Sequence, residues 1–182
     1  MVTPRCNFPD LVNGTPIKQG VKLVQNPFNN SYYAFLGSRW PMSKYNLTWD
    51  IADSKIKSKA ITPLTLAFKK WEDDSVLSFR RASSFKSADV KIKFFRFEGK
   101  DTAHAYPPPS GELNFNAKFS WGDGTKPDRM DLESIGLHEI GHILGLDHSS
   151  DLDAVMWPYL KEGMIKRVLN FDDLLGIHIL YE

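Results

Sequence analysis

The stretch His138-Glu139-Ile140-Gly141-His142-Ile143-Leu144-Gly145-Leu146-Asp147-His148 sets three imidazoles and one carboxylate at intervals that suit a single metal site. His138 and His142 stand four residues apart, so on a helix they project from one face, one turn apart. Glu139, the next residue, is placed for its carboxylate to reach a water on a metal held by that pair. Gly145 can adopt the left-handed backbone that ends a helix, after which the chain turns back and brings His148 to the same metal. Three protein ligands leave one tetrahedral position open, the arrangement of catalytic rather than structural zinc.

Met156 follows eight residues after His148, in Ala154-Val155-Met156-Trp157-Pro158. A bare HExxH also fits an amphipathic helix with ordinary surface histidines. The spacing HExxHxxGxxH followed by a Met-turn is the metzincin signature, and it turns the reading to a zinc hydrolase site. Met156 is then a soft hydrophobic floor beneath the ligands rather than a substrate contact.

Outward from this helix the chain alternates in character. Asp131 is its N-cap, and Leu132, Ile135, Ile140, Ile143 and Leu144 form an apolar side. Residues 1–30 carry Pro, Asn and Gly at short intervals without a sustained period and read as an extended segment. Tyr45–Ile51 and Val90–Phe94 alternate as strands, and Phe79 begins another. Thr62-Pro63 forms an N-cap and N1 pair before Leu64, Ala67, Phe68 and Trp71 at helical spacing. Ala103–Tyr106 and Leu113–Asn116 are short strands around the Pro107–Gly111 turn. Asn170 caps a last helix with Leu174, Leu175, Ile177 and Leu180. A strand, a helix, several strands and two helices make an α+β plan with one core.

Composition removes several classes. The 182 residues carry 23 basic and 22 acidic side chains, a net charge of +1, so no global field draws nucleic acid or an anionic membrane. The basic runs Lys55–Lys59 and Arg80-Arg81 read as solvated faces. No apolar run approaches the roughly 20 residues that span a bilayer, so no transmembrane segment is expected, and the N-terminus has no signal-peptide core. A monomer is expected. The one cysteine, Cys6 in Pro4-Arg5-Cys6-Asn7-Phe8-Pro9-Asp10, excludes an internal disulfide. A thiolate is a strong zinc ligand, so Cys6 has the chemistry to fill the open position and inhibit the site.

Together these residues resemble the matrixin (matrix metalloproteinase) family, and its plant branch. Pro4–Asp10 resembles the propeptide motif PRCGxPD, with Asn7 in place of glycine. Tyr32–Phe35 and Trp40–Trp49 resemble the start of the mature domain, and the likeness spans nearly the whole chain. It implies a metzincin/matrixin catalytic domain with a five-stranded mixed twisted sheet and three helices. It also implies a residual propeptide over residues 1–30 and a catalytic domain over 31–182. His138, His142 and His148 would bind one catalytic Zn2+, Glu139 would be the general base, and Cys6 the latency ligand of a zymogen. The likeness further implies a secreted protein, extracellular or in the cell wall. It suggests that Asp172 or Asp173, which suit a helix N-terminus anyway, receive a freed N-terminus.

Departures from that pattern carry expectations of their own. Matrixins have a metal-binding loop before the Ala-His-Ala segment, whereas here Glu98–Thr102 runs directly into Ala103-His104-Ala105. Asn114 and Asn116 replace an expected histidine and aspartate, and Lys118 adds a positive charge. One imidazole cannot hold a structural zinc, which takes four protein ligands, and calcium needs several oxygens. The structural zinc is therefore expected to be lost, and His104 to be packed in a strand. Calcium binding stays open, with Asp123 or Asp151 as possible ligands. His178 reads as structural.

The expected activity is cleavage of extended peptide or protein substrates that add as a strand to the sheet edge. Trp157, Pro158 and Tyr159 are expected to wall a pocket for an apolar residue just after the scissile bond. The alternative from another class is a zinc-bound interaction module with little catalysis.

Overall fold

Alternation in Asn46-Leu47-Thr48-Trp49-Asp50-Ile51 buries Leu47, Trp49 and Ile51 on one face of a central strand. In the computed structural model, which describes residues 11–12, 15–16, 22–25, 27, 32–122 and 126–182, this strand is β5. It is preceded by β1 (Leu11–Val12), β2 (Thr15–Pro16), β3 (Lys22–Gln25) and β4 (Tyr32–Phe35). Then come helix α1 (Lys57–Asp73), β6 (Ser78–Arg81), β7 (Val90–Phe95), β8 (Ala103–Ala105) and β9 (Glu112–Asn116). The short β10 (Trp121–Gly122) and β11 (Met130–Asp131) lead into α2 (Leu132–Leu144), and α3 (Phe171–Tyr181) ends the chain.

The main sheet has five strands in the order β6-β5-β7-β9-β8. Four are parallel, and β8 runs antiparallel to β9 at the edge. This is the mixed sheet with three helices that the sequence predicts, an α+β fold. The parallel β5–α1–β6 step needs a crossover, and α1 supplies it. Trp49 stacks on Phe68 of α1 at 4.8 Å, and Phe68 meets Phe79 at 5.0 Å. Each such aromatic removes from water a surface worth about 2–3 kcal/mol. Asp50, buried in the same strand, is paired with Arg81, whose guanidinium also lies 4.7 Å from the Trp49 ring.

Two local readings are corrected. Helix α1 begins at Lys57, not at Thr62-Pro63, so Pro63 lies inside it. The extra turn holds because Ala60, fully buried, anchors it to the core and its N–H reaches the Ile56 carbonyl at 3.0 Å. Helix α2 has no solvent side: all of its residues are buried. Helix α1 crosses it on one side, where Gly136 lets Leu64 within 2.7 Å of the position a Cβ would take. The Trp71 indole N–H donates to the Leu137 carbonyl at 2.8 Å. Strands β8 and β9 pack against it as well, Met156 lies on Gly141, and Tyr181 of α3 reaches its last carbonyl. A helix enclosed on all faces shows weak amphipathicity, which is why one apolar side was too narrow a description.

Candidate metal centre

The site is built from both ends of α2. At its start the Asp131 carboxylate accepts from Ser134 N–H at 2.9 Å and pairs with the Arg167 guanidinium at 2.6 Å. At its end Gly145 sits at φ +105°. Its N–H donates to the His142 carbonyl at 3.0 Å, and the Leu146 N–H donates to the Gly141 carbonyl at 3.0 Å, a Schellman closure. The Trp40 indole and the Tyr181 hydroxyl take the carbonyls of Ile143 and Leu144 at 3.0 and 2.7 Å. With its terminal carbonyls satisfied, the helix stops cleanly.

The exit from α2 is tied to β4. Leu36 N–H donates to the Gly145 carbonyl at 2.9 Å, Asp147 N–H to the Ala34 carbonyl at 2.8 Å, and Phe35 bridges Leu146 antiparallel. This pins the segment that carries His148. The same β4 pairs antiparallel with β3, so Lys22–Gln25 is joined to the strand behind the site.

His138, His142 and His148 converge, each fully buried, with one ligand atom apiece within 4.8 Å of the others. His138 Nδ1 lies 2.8 Å from the Val155 carbonyl, and His142 Nδ1 lies 2.7 Å from the Leu146 carbonyl. A carbonyl only accepts, so both Nδ1 atoms carry the proton and both Nε2 atoms present lone pairs. Those two Nε2 atoms are 3.1 Å apart. Two lone pairs at that distance repel unless a cation lies between them. A tetrahedral zinc bound at about 2.0–2.1 Å to each nitrogen would set them about 3.3–3.4 Å apart, so the donor set fits zinc. Glu139, fully buried, is the residue next to His138 on the helix.

The turn at Met156 holds the pieces together. Gly141 leaves room for the Met156 thioether, since a Cβ there would overlap Sδ. The Val155 and Met156 N–H groups donate to Asp173 at 2.7 and 3.0 Å, and Ser149 N–H donates to the Met156 carbonyl at 3.1 Å. Asp173 also completes the capping box of α3 by accepting from Asn170 N–H at 2.9 Å. A relay runs from α3 through Asp173 and Val155 to the ring of His138. Burial pushes the Asp173 carboxyl up to about 6, against the three backbone N–H groups that favour its charged form.

Sequence reasoning assigned Asp172 and Asp173 to the helix dipole or to a freed N-terminus, and missed the hold of Asp173 on the Met-turn. The Asn170-x-x-Asp173 spacing signals a cap, but nothing local reveals a third partner 18 residues away. Asp172 accepts from the Ser149 hydroxyl at 2.5 Å. Pro158 is buried, while Trp157 and Tyr159 are half-buried with ring centres 5.4 Å apart. His104 is stacked on Phe97 at 4.4 Å, with Nε2 3.3 Å from Asp101. His178 is exposed and pairs with Glu182 at 2.6 Å. Asp151 caps its own loop by accepting from Asp153 N–H at 2.9 Å. Cys6 and Asp123 lie outside the described residues. Among the described residues no helix is long and apolar enough to cross a membrane.

Comparison with known proteins agrees with this geometry. The family model for matrixins matches residues 39–182. All of this chain aligns with Metalloendoproteinase 2-MMP of Arabidopsis thaliana, at 33% identity over 55% of that protein. It aligns likewise with Metalloendoproteinase 5-MMP of the same plant, at 36% identity over 56% of its length. Metalloendoproteinase 1 of Glycine max is 32% identical over 64% of its length. The chain thus spans between about half and two thirds of the curated relatives it matches. With a converging three-histidine centre at the end of its second helix, the chain belongs to the matrixin family as a plant-type catalytic domain.

Proposed function

We propose that this chain is a zinc-dependent endopeptidase domain in which His138, His142 and His148 hold the metal and Glu139 is the general base. The observation that carries the reading is the pair of Nε2 lone pairs 3.1 Å apart, each fixed by a backbone carbonyl on the far side of its ring. When bound, zinc supplies Lewis-acid polarisation of the scissile carbonyl and lowers the pKa of its water toward about 7. Glu139 takes the proton of the attacking water and hands it to the departing amine. Burial of the whole centre strengthens each electrostatic contact made there.

The peptide adds as an extended strand along β8, the edge strand of the sheet, whose Ala103 and Ala105 are buried. Trp157, Pro158 and Tyr159 follow the Met-turn and form the wall that favours an apolar residue after the cut. Residues 1–30 are the end of a propeptide, and Cys6 is the ligand that keeps the zymogen latent. Secretion follows from the family.

The domain holds a single zinc. Support comes from the corner where matrixins place structural metals. The Asn116 amide donates to the carbonyls of Phe97 and Asp101, both at 3.1 Å, and the Lys118 ammonium lies 3.4 Å from the Gly99 carbonyl. Carbonyls that would serve a metal are here satisfied by side chains.

The test is hydrolysis of a quenched peptide with leucine after the cut, before and after removal of the N-terminal tail, with zinc counted by elemental analysis. One zinc per chain, with activity that rises on trimming or in Cys6→Ser, is expected. Glu139→Ala should keep zinc and lose about 10²–10⁴-fold in turnover. A zinc-loaded protein that cleaves neither this peptide nor a diverse pool would point instead to an interaction module.

A further inference from the structure

At the N-terminal end of α2, before His138, lies an open groove of about 560 Å³ that the mechanism does not use. Leu132 and Glu133 on its wall open the helix, and Glu133 stands five residues and about 7–8 Å of rise before His138. One side is Ile56, the N-cap of α1, followed at helical spacing by Lys59, Pro63 and Leu66. The other side is Trp121 with Lys126 and Arg129.

The groove is built rather than incidental. The Trp121 indole donates to the Asn116 carbonyl at 3.0 Å, and its ring meets Phe115 edge-on at 5.1 Å, so its position is set by the core. Gly122 lets Arg129 lie across the strand, since a Cβ there would come within 2.9 Å of Arg129 Cδ. Lys59 and Lys126 are exposed, as is 42% of the Arg129 side chain. Acids nearby are engaged: Glu133 with Lys70 and Arg167, and Asp131 with Arg167. Asp128 lies beside Arg129, at 4.0 Å and largely exposed. Apolar surface survives in water here as well, with Leu66 45% exposed.

We propose that this groove docks an acidic peptide segment that also bears apolar side chains, at a site separate from the histidine centre. Three cations around an apolar floor complement carboxylates alternating with Leu or Phe. A carbohydrate is best read by neutral amides and hydroxyls, and among the described residues the wall offers one hydroxyl, that of Thr62. In the endopeptidase reading this segment belongs to a protein substrate; the docking itself does not depend on hydrolysis.

The experiment measures anisotropy of a labelled octapeptide alternating Asp with Leu and Phe, on zinc-loaded Glu139→Ala protein. Failure of the catalytic reading therefore leaves the docking measurement intact. Binding is expected at low salt, weakened at least about tenfold by Lys59→Glu, Lys126→Glu and Arg129→Glu together. Leu66→Ser, on the surface, should weaken it about threefold and leave an Asp/Ser control peptide unchanged. Equal binding to wild type and the triple variant would overturn the proposal. So would binding of Asp/Ser peptide equal to that of the apolar one, or binding of polygalacturonate in its place.

Discussion

Two corners of this domain contain histidine on secondary structure beside the same sheet, and they have opposite chemistry. In the centre at the end of α2, backbone carbonyls take the outer nitrogens of His138 and His142 and turn their inner nitrogens toward each other. At the β7–β8 corner, His104 lies flat on Phe97 and shares Asp101, while Asn116 and Lys118 satisfy the surrounding carbonyls. The first arrangement concentrates lone pairs in a group that could hold a metal ion. The second supplies donors to its loop carbonyls from within the chain, although the buried Asn114 amide oxygen, across the strand pair from His104, has no partner among the described residues. A histidine is made a ligand by what holds its far nitrogen and by the convergence of its neighbours, not by its presence near a sheet edge.

The sharpest way to break the first corner leaves every ligand in place. In Gly145→Ala the new Cβ would overlap the Ser38 carbonyl and would have to sit at φ +105°. We expect a loss of more than about 3 kcal/mol by thermal or denaturant unfolding, and zinc content below one per chain because His148 is displaced. A variant with wild-type stability and zinc would show that the Schellman exit does not position the third ligand.

The relay through Asp173 gives a pH signature. Its carboxyl stands at about 6 in the fold, above the ordinary 3.8. The folded state thus retains a proton that the unfolded chain releases between those values. The contribution is full below about pH 4 and is lost as pH rises through about 6, some 3 kcal/mol in all. Asp89, held below the ordinary range despite its burial by hydrogen bonds from Lys44 and Thr48, works in the opposite direction and loses its contribution as pH falls. Comparing zinc-saturated wild type with Asp173→Asn from pH 5 to 7.5 cancels what the two share. The stability gap should move in favour of the variant as pH rises. A constant gap would mean that Asp173 is charged throughout.

At the second corner Asn116→Ala leaves the Phe97 and Asp101 carbonyls without their amide donor. The expected cost is about 1–3 kcal/mol, with zinc stoichiometry and activity nearly unchanged. Loss of zinc in this variant would erase the distinction between the corners.

Much of the centre was legible because its pattern is local. His138, Glu139 and His142 share one helix, Gly145 announces the turn, and His148 follows within three residues, so spacing alone brings them together. The sheet was legible from alternation in β5 and β7, whose burial is one-sided enough to show. What spacing could not show depends on partners distant in sequence. Pro63 looked like a helix start because local propensity favours it there, but burial of Ala60 sustains an earlier turn. The seat of Met156 depends on Gly141 having no side chain, and its backbone on Asp173, 17 residues on. The groove beside Trp121 joins α1, β10 and the start of α2, three segments that no single window of sequence contains.

The smallest effect is the most discriminating. His104→Phe keeps an aromatic ring to stack on Phe97 and removes the contact with Asp101. If the corner is self-sufficient, the lost polar contact is a partly exposed one of long reach, at 3.3 Å with 23% of each side chain accessible. Such a pair is worth about 0.5 kcal/mol, so the midpoint of unfolding should move by no more than a few degrees. Zinc should stay at one per chain, and kcat/KM on a short peptide should be unchanged. Asp101 would turn to water, and the Asn116 amide would still hold the loop backbone at Phe97 and Asp101. The same replacement of one imidazole at His142 should empty the site. A loss of several kcal/mol, or of one equivalent of metal, in His104→Phe would make the two corners chemically alike, with a second ion at the one where the chain now satisfies itself.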